Sequence, residues 1–81
     1  MNNIVIFTAK WCSNCPPVKN LLTMKGVDFS SVDTDTQEGE ELVAANHVRS
    51  LPTVLVFDDA GRETHRLVSF KSVQEYLNNA D

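Results

Sequence analysis

The stretch Trp11-Cys12-Ser13-Asn14-Cys15 contains the only two cysteines of the chain, three positions apart. An apolar run, residues 4–7, precedes this stretch, and a helix-patterned segment, residues 18–25, follows it. The motif is therefore expected at the turn between a buried strand and a helix. Free backbone N–H groups at a helix start favour negative charge, so a thiol ionises readily there. This placement predicts thiol–disulfide exchange.

The length and composition of the chain indicate a single domain over residues 1–81, with 42% hydrophobic and 22% charged residues. A chain of this size buries only about 60–65% of its unfolded surface, which still allows a modest core. A disulfide between cysteines three positions apart would close too short a loop to restrict the unfolded chain much. The cysteine pair is therefore expected to serve chemistry rather than scaffolding.

The charge and the hydropathy of the chain limit the partners and the compartment that we expect for it. The net charge is −4, and no basic patch is present to replace the counterions of a nucleic acid. No apolar run approaches the roughly 20 residues of a membrane span. No basic, cleavable leader precedes the first strand. We expect no nucleic acid or membrane partner and a cytoplasmic location, where thiols are kept reduced and a cysteine pair cycles or binds metal.

The pattern of apolar and polar residues predicts the element order βαβαββα. Two wholly apolar runs, residues 4–7 and 54–57, are expected as central strands, and the more polar segments 27–33 and 63–68 as edge strands. A strand, a helix and a strand in close succession form a parallel pair. The expected architecture is α/β, a four-stranded mixed sheet with helices on both faces.

Capping residues set the expected ends of the first two helices. The first helix is expected to begin near Cys12 and to end before Gly26, a residue type favoured just past a helix. The second helix is expected to open on a capping box formed by Thr34 and Gln37.

Local sequence signals also predict where the second helix ends and where the last helix begins. Asn46 or His47 is expected to end the second helix in a left-handed conformation. The last helix is expected to open on another capping box, formed by Ser72 and Glu75, with its apolar stripe facing the core.

Two segments of the chain resemble the thioredoxin superfamily. Trp11-Cys12-x-x-Cys15 follows one buried strand, and Leu51-Pro52-Thr53 enters another. The resemblance covers residues 4–77, and in size and layout the chain is similar to glutaredoxins and to the small thioredoxins of phages and archaea. In local sequence it is more similar to thioredoxins, because the paired glycines of a glutaredoxin's glutathione site are missing after Phe57.

The resemblance implies a protein-disulfide reductase that cycles between the dithiol and the disulfide of Cys12 and Cys15. Cys12 would be the nucleophile and Cys15 the resolving thiol that releases the reduced substrate. Electrons would come from NADPH through a thioredoxin reductase, or from glutathione, with no cofactor bound to the chain. The expected partners are disulfide-containing proteins such as ribonucleotide reductase, and the expected state is a monomer.

The resemblance also implies a substrate-docking surface around the cysteines. Its expected members are Trp11, Ser13, Asn14, Ser50, Leu51 and Pro52. Pro52 would be cis, and the backbone of Leu51 would pair with an extended substrate. Trp11 would present a flat apolar face to the substrate, and the alternative is that it packs as a cover over the core.

One departure from the thioredoxin pattern concerns proton transfer. Thioredoxins carry a buried aspartate at the position of Ile6, where it helps to move protons at the second cysteine. In this sequence another group, or water, must do that task, and Lys10 and Lys19 are candidates.

Two other classes of function remain open from the sequence. A cysteine pair can supply half of a zinc or iron–sulfur site. His47 and His65 are 18 positions apart and lack zinc-finger spacing, so no metal is expected unless a dimer pools two pairs. The other alternative is a module that keeps the fold to bind a partner, and a Cys12→Ser variant would retain that role.

Overall fold

The computed structural model describes residues 3–79. The elements in chain order are β1 (Asn3–Thr8), α1 (Cys15–Met24), β2 (Ser30–Asp33), α2 (Gln37–Asn46), β3 (Thr53–Phe57), β4 (Glu63–Leu67) and α3 (Phe70–Asn79). This order, βαβαββα, is the predicted one.

The four strands form one mixed sheet in the order β2-β1-β3-β4. Strand β1 runs parallel to β2 and antiparallel to β3, and β3 runs antiparallel to β4. The two apolar strands are central and the two polar strands lie at the edges, as predicted. A central strand is covered on both faces, which explains why four successive residues of β3, 53–56, are all buried.

The main core lies between one face of the sheet and the helices α1 and α3. Its buried members are Ile4, Ile6, Val18, Leu22, Val54, Val56 and Val73. Ile4 pairs with Val56 across β1 and β3, and residues opposite each other in a ladder share a face of the sheet. Val18 and Leu22 fix α1 against this face, and they thereby fix the cysteine motif at its start.

The opposite face of the sheet is also covered. Phe7 and Leu55 point to this face and are 2% and 0% exposed. Arg66 lies opposite Leu55 in the ladder and shares its face. The Arg66 guanidinium donates to the carbonyl oxygens of Asn46 (2.7 Å) and His47 (3.1 Å) at the end of α2. Helix α2 therefore lies on this face, and helices cover both faces as predicted.

Helix α1 begins at Cys15, so the predicted start near Cys12 was wrong. The reason is the pair Pro16 and Pro17. With the observed start, both prolines lie in the first turn of α1, where a backbone N–H would have no partner within the helix and its absence costs nothing. A helix that began at Cys12 would place both prolines where they remove internal hydrogen bonds. At the other end the prediction is confirmed, because Gly26 follows the helix with φ at 70°.

The capping boxes differ from those predicted. Thr36, and not Thr34, caps α2, since its hydroxyl oxygen accepts the N–H of Gly39 at 2.9 Å. Helix α3 opens three residues earlier than predicted, on Ser69 and Ser72. The hydroxyl oxygen of each serine accepts the backbone N–H of the other at 3.1 Å. Hydroxyl residues recur at short intervals in both segments, so the sequence offers several capping registers.

The end of α2 agrees with its prediction, whereas β2 is shorter than predicted. His47 ends α2 in the left-handed region with φ at 55°, as predicted. Strand β2 covers only Ser30–Asp33 and not residues 27–33. Val27 and Phe29 instead pack against the main core from the connection between α1 and β2.

Candidate active site

The two cysteines lie in the turn between β1 and α1 and form a disulfide with their Cα atoms 5.5 Å apart. The N–H of Cys12 donates to the carbonyl of Ala9 at 3.1 Å, and the N–H of Cys15 donates to the carbonyl of Cys12 at 3.4 Å. Ala9 packs with both cysteines in a small buried cluster. The backbone of the turn therefore holds the two sulfur atoms within bonding reach of each other.

The cysteines differ in exposure and in their relation to α1. Cys12 is 7% exposed and Cys15 is 2% exposed. Cys15, rather than Cys12, is the first residue of the helix. The favourable field of a helix start is strongest around the first turn, and both sulfur atoms lie next to it because they are bonded to each other.

Trp11 lies on the surface, and its side chain is 71% exposed. The alternative that it covers the core is therefore wrong. Its indole Nε1 donates to the Oδ1 of Asp35 at 3.2 Å. This hydrogen bond links the residue before Cys12 to the loop between β2 and α2, and it orients the indole ring.

A shallow groove of about 210 Å³ begins at Trp11. Val43 of α2 and Val48 supply apolar lining, and Ser50 and Leu51 complete the edge next to β3. Leu51 also packs against the cysteine cluster. The groove is thus continuous with the disulfide through this leucine.

The segment that enters β3 has the conformation that the resemblance implied. The peptide bond between Leu51 and Pro52 is cis, and Pro52 is buried. Thr53 is 1% exposed, and its hydroxyl donates to the carbonyl of Ser50 at 2.6 Å. This hydrogen bond fixes the backbone on either side of the proline.

Ser13 and Asn14 lie between the two cysteines and are both exposed. Asn14 is the N-cap residue of α1, yet its side chain makes no capping hydrogen bond. The structure therefore brings the predicted docking residues to one place: Ser13 and Asn14 in the turn, and Trp11 and Leu51 along the groove.

A second cleft, of about 360 Å³, adjoins the disulfide. Both Cys12 and Cys15 line it, together with the charged residues Lys10, Lys19 and Asp33. The two lysines were candidates from the sequence, whereas Asp33 was not singled out. The available signal was its place at the carboxyl end of β2, because the carboxyl ends of parallel strands meet at one edge of a sheet.

Ile6 is fully buried in the main core, so this position supplies no titratable group. Its partner in the β1–β2 ladder is Ser31, and the next pair along the same face is Thr8 with Asp33. Ser31, Thr8 and Asp33 all line the second cleft. The polar side chains that β1 and β2 contribute to the cleft from this face are therefore two hydroxyls and one carboxylate.

The arrangement of possible metal ligands and the character of the helices can be described for residues 3–79. Within this range no group of three His, Cys, Asp or Glu side chains is arranged to hold a metal ion. The helices of the same range lack the length and apolar character needed to cross a bilayer. His47 ends α2, and the ring of His65 contacts that of Tyr76 in a tilted arrangement with ring centroids 4.7 Å apart.

Comparison with known proteins places these features in a family. The glutaredoxin family model matches residues 4–60. A thioredoxin from Mycoplasma pneumoniae is 33% identical over 75 residues, and the match covers 85% of this chain and 71% of that protein. The chain belongs to the thioredoxin superfamily.

Two further proteins are similar to this chain. The solved thioredoxin of Fasciola hepatica is 29% identical with a TM-score of 0.76, and the match covers 99% of this chain and 81% of that one. A Bacillus subtilis protein, N-acetyl-S-hydroxy-L-cysteine reductase, is 39% identical over 54 residues, which cover 64% of this chain and 58% of that protein. With the Cys12–Cys15 disulfide, these relatives identify the chain as a thiol–disulfide oxidoreductase with a thioredoxin-like fold.

Proposed function

We propose that the chain reduces protein disulfides with Cys12 as nucleophile and Cys15 as resolving thiol. The observation that carries this assignment is the unequal exposure of the pair, 7% for Cys12 and 2% for Cys15. A substrate sulfur can approach Cys12 more readily, whereas Cys15 is shielded and has Cys12 as its bonded partner. We therefore propose that Cys12, the first cysteine in the turn, also reacts first, and that Cys15 reacts second.

The reaction proceeds through two exchanges. The Cys12 thiolate attacks one sulfur of the substrate disulfide, a mixed disulfide forms, and the other substrate sulfur leaves as a thiolate. Cys15 then loses its proton and attacks the Sγ of Cys12, which releases the second substrate thiolate and forms the Cys12–Cys15 disulfide. Because both cysteines are in one turn, this second step is intramolecular and outruns attack by external thiols.

The groove beside Trp11 is the proposed docking site for the protein substrate. An exposed indole next to an apolar groove offers the kind of aromatic contact that dominates many protein interfaces. Leu51 connects the groove to the cysteine cluster, and its backbone is proposed to pair with an extended substrate segment. Ser13, Asn14, Ser50 and Pro52 complete the proposed contact surface.

The proposed electron donor is NADPH through a thioredoxin reductase, with glutathione as the alternative. The thioredoxin relatives favour the reductase, and the match to the glutaredoxin family model favours testing glutathione beside it. No cofactor is proposed for the chain itself. We place the protein in the cytoplasm as a monomer that supplies electrons to enzymes such as ribonucleotide reductase.

A small sulfur compound is a second candidate substrate. The Bacillus subtilis relative is named for the reduction of N-acetyl-S-hydroxy-L-cysteine. The specific observation in this chain that favours a small substrate is the second cleft, which both cysteines line.

Reduction of insulin disulfides tests the proposed function, with each candidate electron donor supplied in turn. We expect turnover with the native chain and none with Cys12→Ser. We expect Cys15→Ser to accumulate a mixed disulfide between Cys12 and the substrate, detectable by mass spectrometry. If the roles were exchanged, Cys12→Ser would trap the substrate instead.

Two results would instead support the alternative functions, metal binding and partner binding. A stoichiometric zinc or iron content in the purified protein, lost in Cys15→Ser, would support a metal site. A biological effect that survives Cys12→Ser would support a module that only binds a partner.

A further inference from the structure

Helix α2 contributes to the groove beside Trp11, yet little buried apolar surface attaches this helix to the sheet. Among the ten residues of α2, all of which the structure describes, Gly39 is the one that is buried, and Leu42 and Val43 are half-buried. The close approach of Gly39 to the backbone carbonyl of Asp33 holds the first half of the helix beside the end of β2. The other end of the helix, next to the groove, therefore depends on different contacts.

Arg66 of β4 supplies contacts at this end of the helix. Its guanidinium donates to the carbonyl oxygen of Asn46 at 2.7 Å and to that of His47 at 3.1 Å. The last carbonyls of a helix lack partners within the helix and carry partial negative charge, so a cation beside them is favourable. The described residues of the last turn of α2 include no basic side chain. Arg66 thus provides, from another element, the cation that this helix end lacks.

Glu63 orients the guanidinium for this task. The Nε and one terminal nitrogen of Arg66 donate to the two carboxylate oxygens of Glu63, each at 2.9 Å. With the two carbonyls of α2, the guanidinium makes four hydrogen bonds, and its N–H donors lie in one rigid plane. A lysine ammonium at this position would keep the charge but would lack the fixed fork of donors.

The segment of residues 48–51 lies between α2 and β3 and lines the groove at every position. Its far end is fixed by the hydroxyl of Thr53, which donates to the carbonyl of Ser50. Its near end directly follows His47, one of the two residues whose carbonyls accept hydrogen bonds from Arg66. This wall of the groove is therefore held at both ends, and Arg66 contributes one of the two attachments.

We propose that Arg66 is a positioning residue for the groove beside Trp11. From the edge strand β4 it holds the end of α2, and with it the segment 48–51, in the arrangement that accepts a protein substrate. Arg66 is not among the described residues that line the groove, so it acts on the substrate through the backbone of this segment. The inference rests on the proposed function, because it concerns the docking of a substrate that Cys12 then reduces. It adds a residue on which large substrates depend and small ones do not.

The test compares a protein disulfide with a disulfide that is too small to need the groove. Reduced protein is mixed with increasing concentrations of insulin or of bis(2-hydroxyethyl) disulfide, and its oxidation is followed through the fluorescence of Trp11, the only tryptophan of the chain. Insulin gives a half-saturating concentration and a limiting rate, and the small disulfide gives a second-order rate constant. A loss of folded protein would affect both substrates alike, whereas a loss of positioning acts on insulin binding.

Arg66→Met is expected to raise the half-saturating insulin concentration by about fivefold, the scale of one net hydrogen bond. The limiting rate and the rate constant for the small disulfide are expected to stay unchanged, because the lost interaction affects binding and not chemistry. Arg66→Lys keeps the charge at the helix end without the fork, so a smaller rise is expected. The matched control is Arg62→Met, which removes the same charge from the turn before β4 and is expected to change neither quantity.

Amide hydrogen exchange measured by NMR provides a second test that does not depend on a substrate. In Arg66→Lys we expect faster exchange of the N–H of Val48, which donates to the carbonyl of Val43 at 3.0 Å at the end of α2. The amides of β3 are expected to keep their exchange rates, because a local opening leaves the central strands intact. Equal acceleration at Val48 and in β3 would reveal a loss of global stability and would overturn the inference.

An unchanged half-saturating insulin concentration in Arg66→Met also overturns the inference, as does an equal loss of rate with insulin and with the small disulfide. The native chain separates the two levels of the proposal. If it reduces insulin and the Arg66 variants do so with the same half-saturating concentration, only the positioning role of Arg66 is refuted. If the native chain reduces neither insulin nor the small disulfide, the proposed function is refuted.

Discussion

At the scale of single residues, the side chains around the disulfide differ in exposure, and their proposed roles differ accordingly. Cys12 and Cys15 are both buried, and the more exposed of them, Cys12, is the one that the mechanism presents to a substrate. Trp11 is the opposite case, a large apolar residue that is 71% exposed and oriented by Asp35. An exposed indole at this position has no role in the core, which is why we propose it as a contact for the substrate.

The first prediction concerns this indole. Trp11→Ala is expected to lower kcat/KM for insulin reduction by about tenfold, because truncation of an aromatic anchor in an interface commonly costs more than 1 kcal/mol. Oxidation of the reduced variant by a small disulfide is expected to change much less. Met24→Ala is the matched control, since Met24 is 83% exposed at the far end of α1. Equal losses in both variants would contradict a docking role for Trp11.

A second prediction concerns the ion pair of Glu63 and Arg66. Two guanidinium nitrogens of Arg66 donate to the two Glu63 carboxylate oxygens, each at 2.9 Å. These hydrogen bonds lower the pKa of Glu63 from its usual value. Because the folded pKa lies below the unfolded one, near 4.3, the pair stabilises the fold above that pH. Its contribution is lost as the pH falls through the lower folded pKa.

Glu63→Gln is therefore expected to lower the free energy of unfolding at pH 7 by about 0.5 kcal/mol, the scale of an exposed pair. Below the folded pKa the difference from the native chain is expected to vanish. Urea unfolding of both proteins at several pH values measures it, with the exposed Glu75→Gln as control. A difference that is the same at pH 7 and at low pH would count against this ion pair.

At the scale of elements, the sequence was sufficient for the order and placement of the strands. Continuous apolar runs in β1 and β3 and polar patterns in β2 and β4 predicted which strands are central and which lie at the edges. Helix starts were less predictable. Several hydroxyl residues lie close together before α2 and α3, and only the packing of each helix selects Thr36 and Ser69 as caps. The start of α1 at Cys15 has a local cause instead, because Pro16 and Pro17 are tolerated only in its first turn.

The third prediction concerns Gly39 in α2. Helix propensity alone predicts that Gly39→Ala stabilises the protein by about 1 kcal/mol. In the structure an added Cβ would collide with the backbone carbonyl of Asp33 and would lie 2.9 Å from the Cα of Thr34. We therefore expect the opposite sign, a loss of about 1–3 kcal/mol in the free energy of unfolding.

The control for this substitution is Glu41→Ala, at an exposed position of the same helix. It is expected to stay within about 0.5 kcal/mol of the native chain. Chemical denaturation of the three proteins under one set of conditions gives the comparison. A Gly39→Ala variant more stable than the native chain would show that α2 does not approach the end of β2 this closely.

At the scale of the whole molecule, the sequence predicted the turn that holds the cysteine motif, and the resemblance implied the cis proline, but neither predicted the second cleft. The motif is local, and its meaning follows from a strand before it and a helix after it. The cleft depends on where β2 ends relative to α1, which places Asp33 and Lys19 beside Cys15. Such a juxtaposition of distant segments has no pattern in a single sequence.

We propose that Cys12 and Cys15 form a reversible two-electron couple that reduces other disulfides. Its most direct test is the reduction potential of this couple, measured by equilibration against glutathione or dithiothreitol, with the oxidised fraction determined by alkylation and mass spectrometry. We expect a midpoint of roughly −270 to −200 mV, the range from thioredoxin to the glutaredoxins. A midpoint near about −120 mV, typical of a strong oxidant, or the absence of any reversible couple would contradict it.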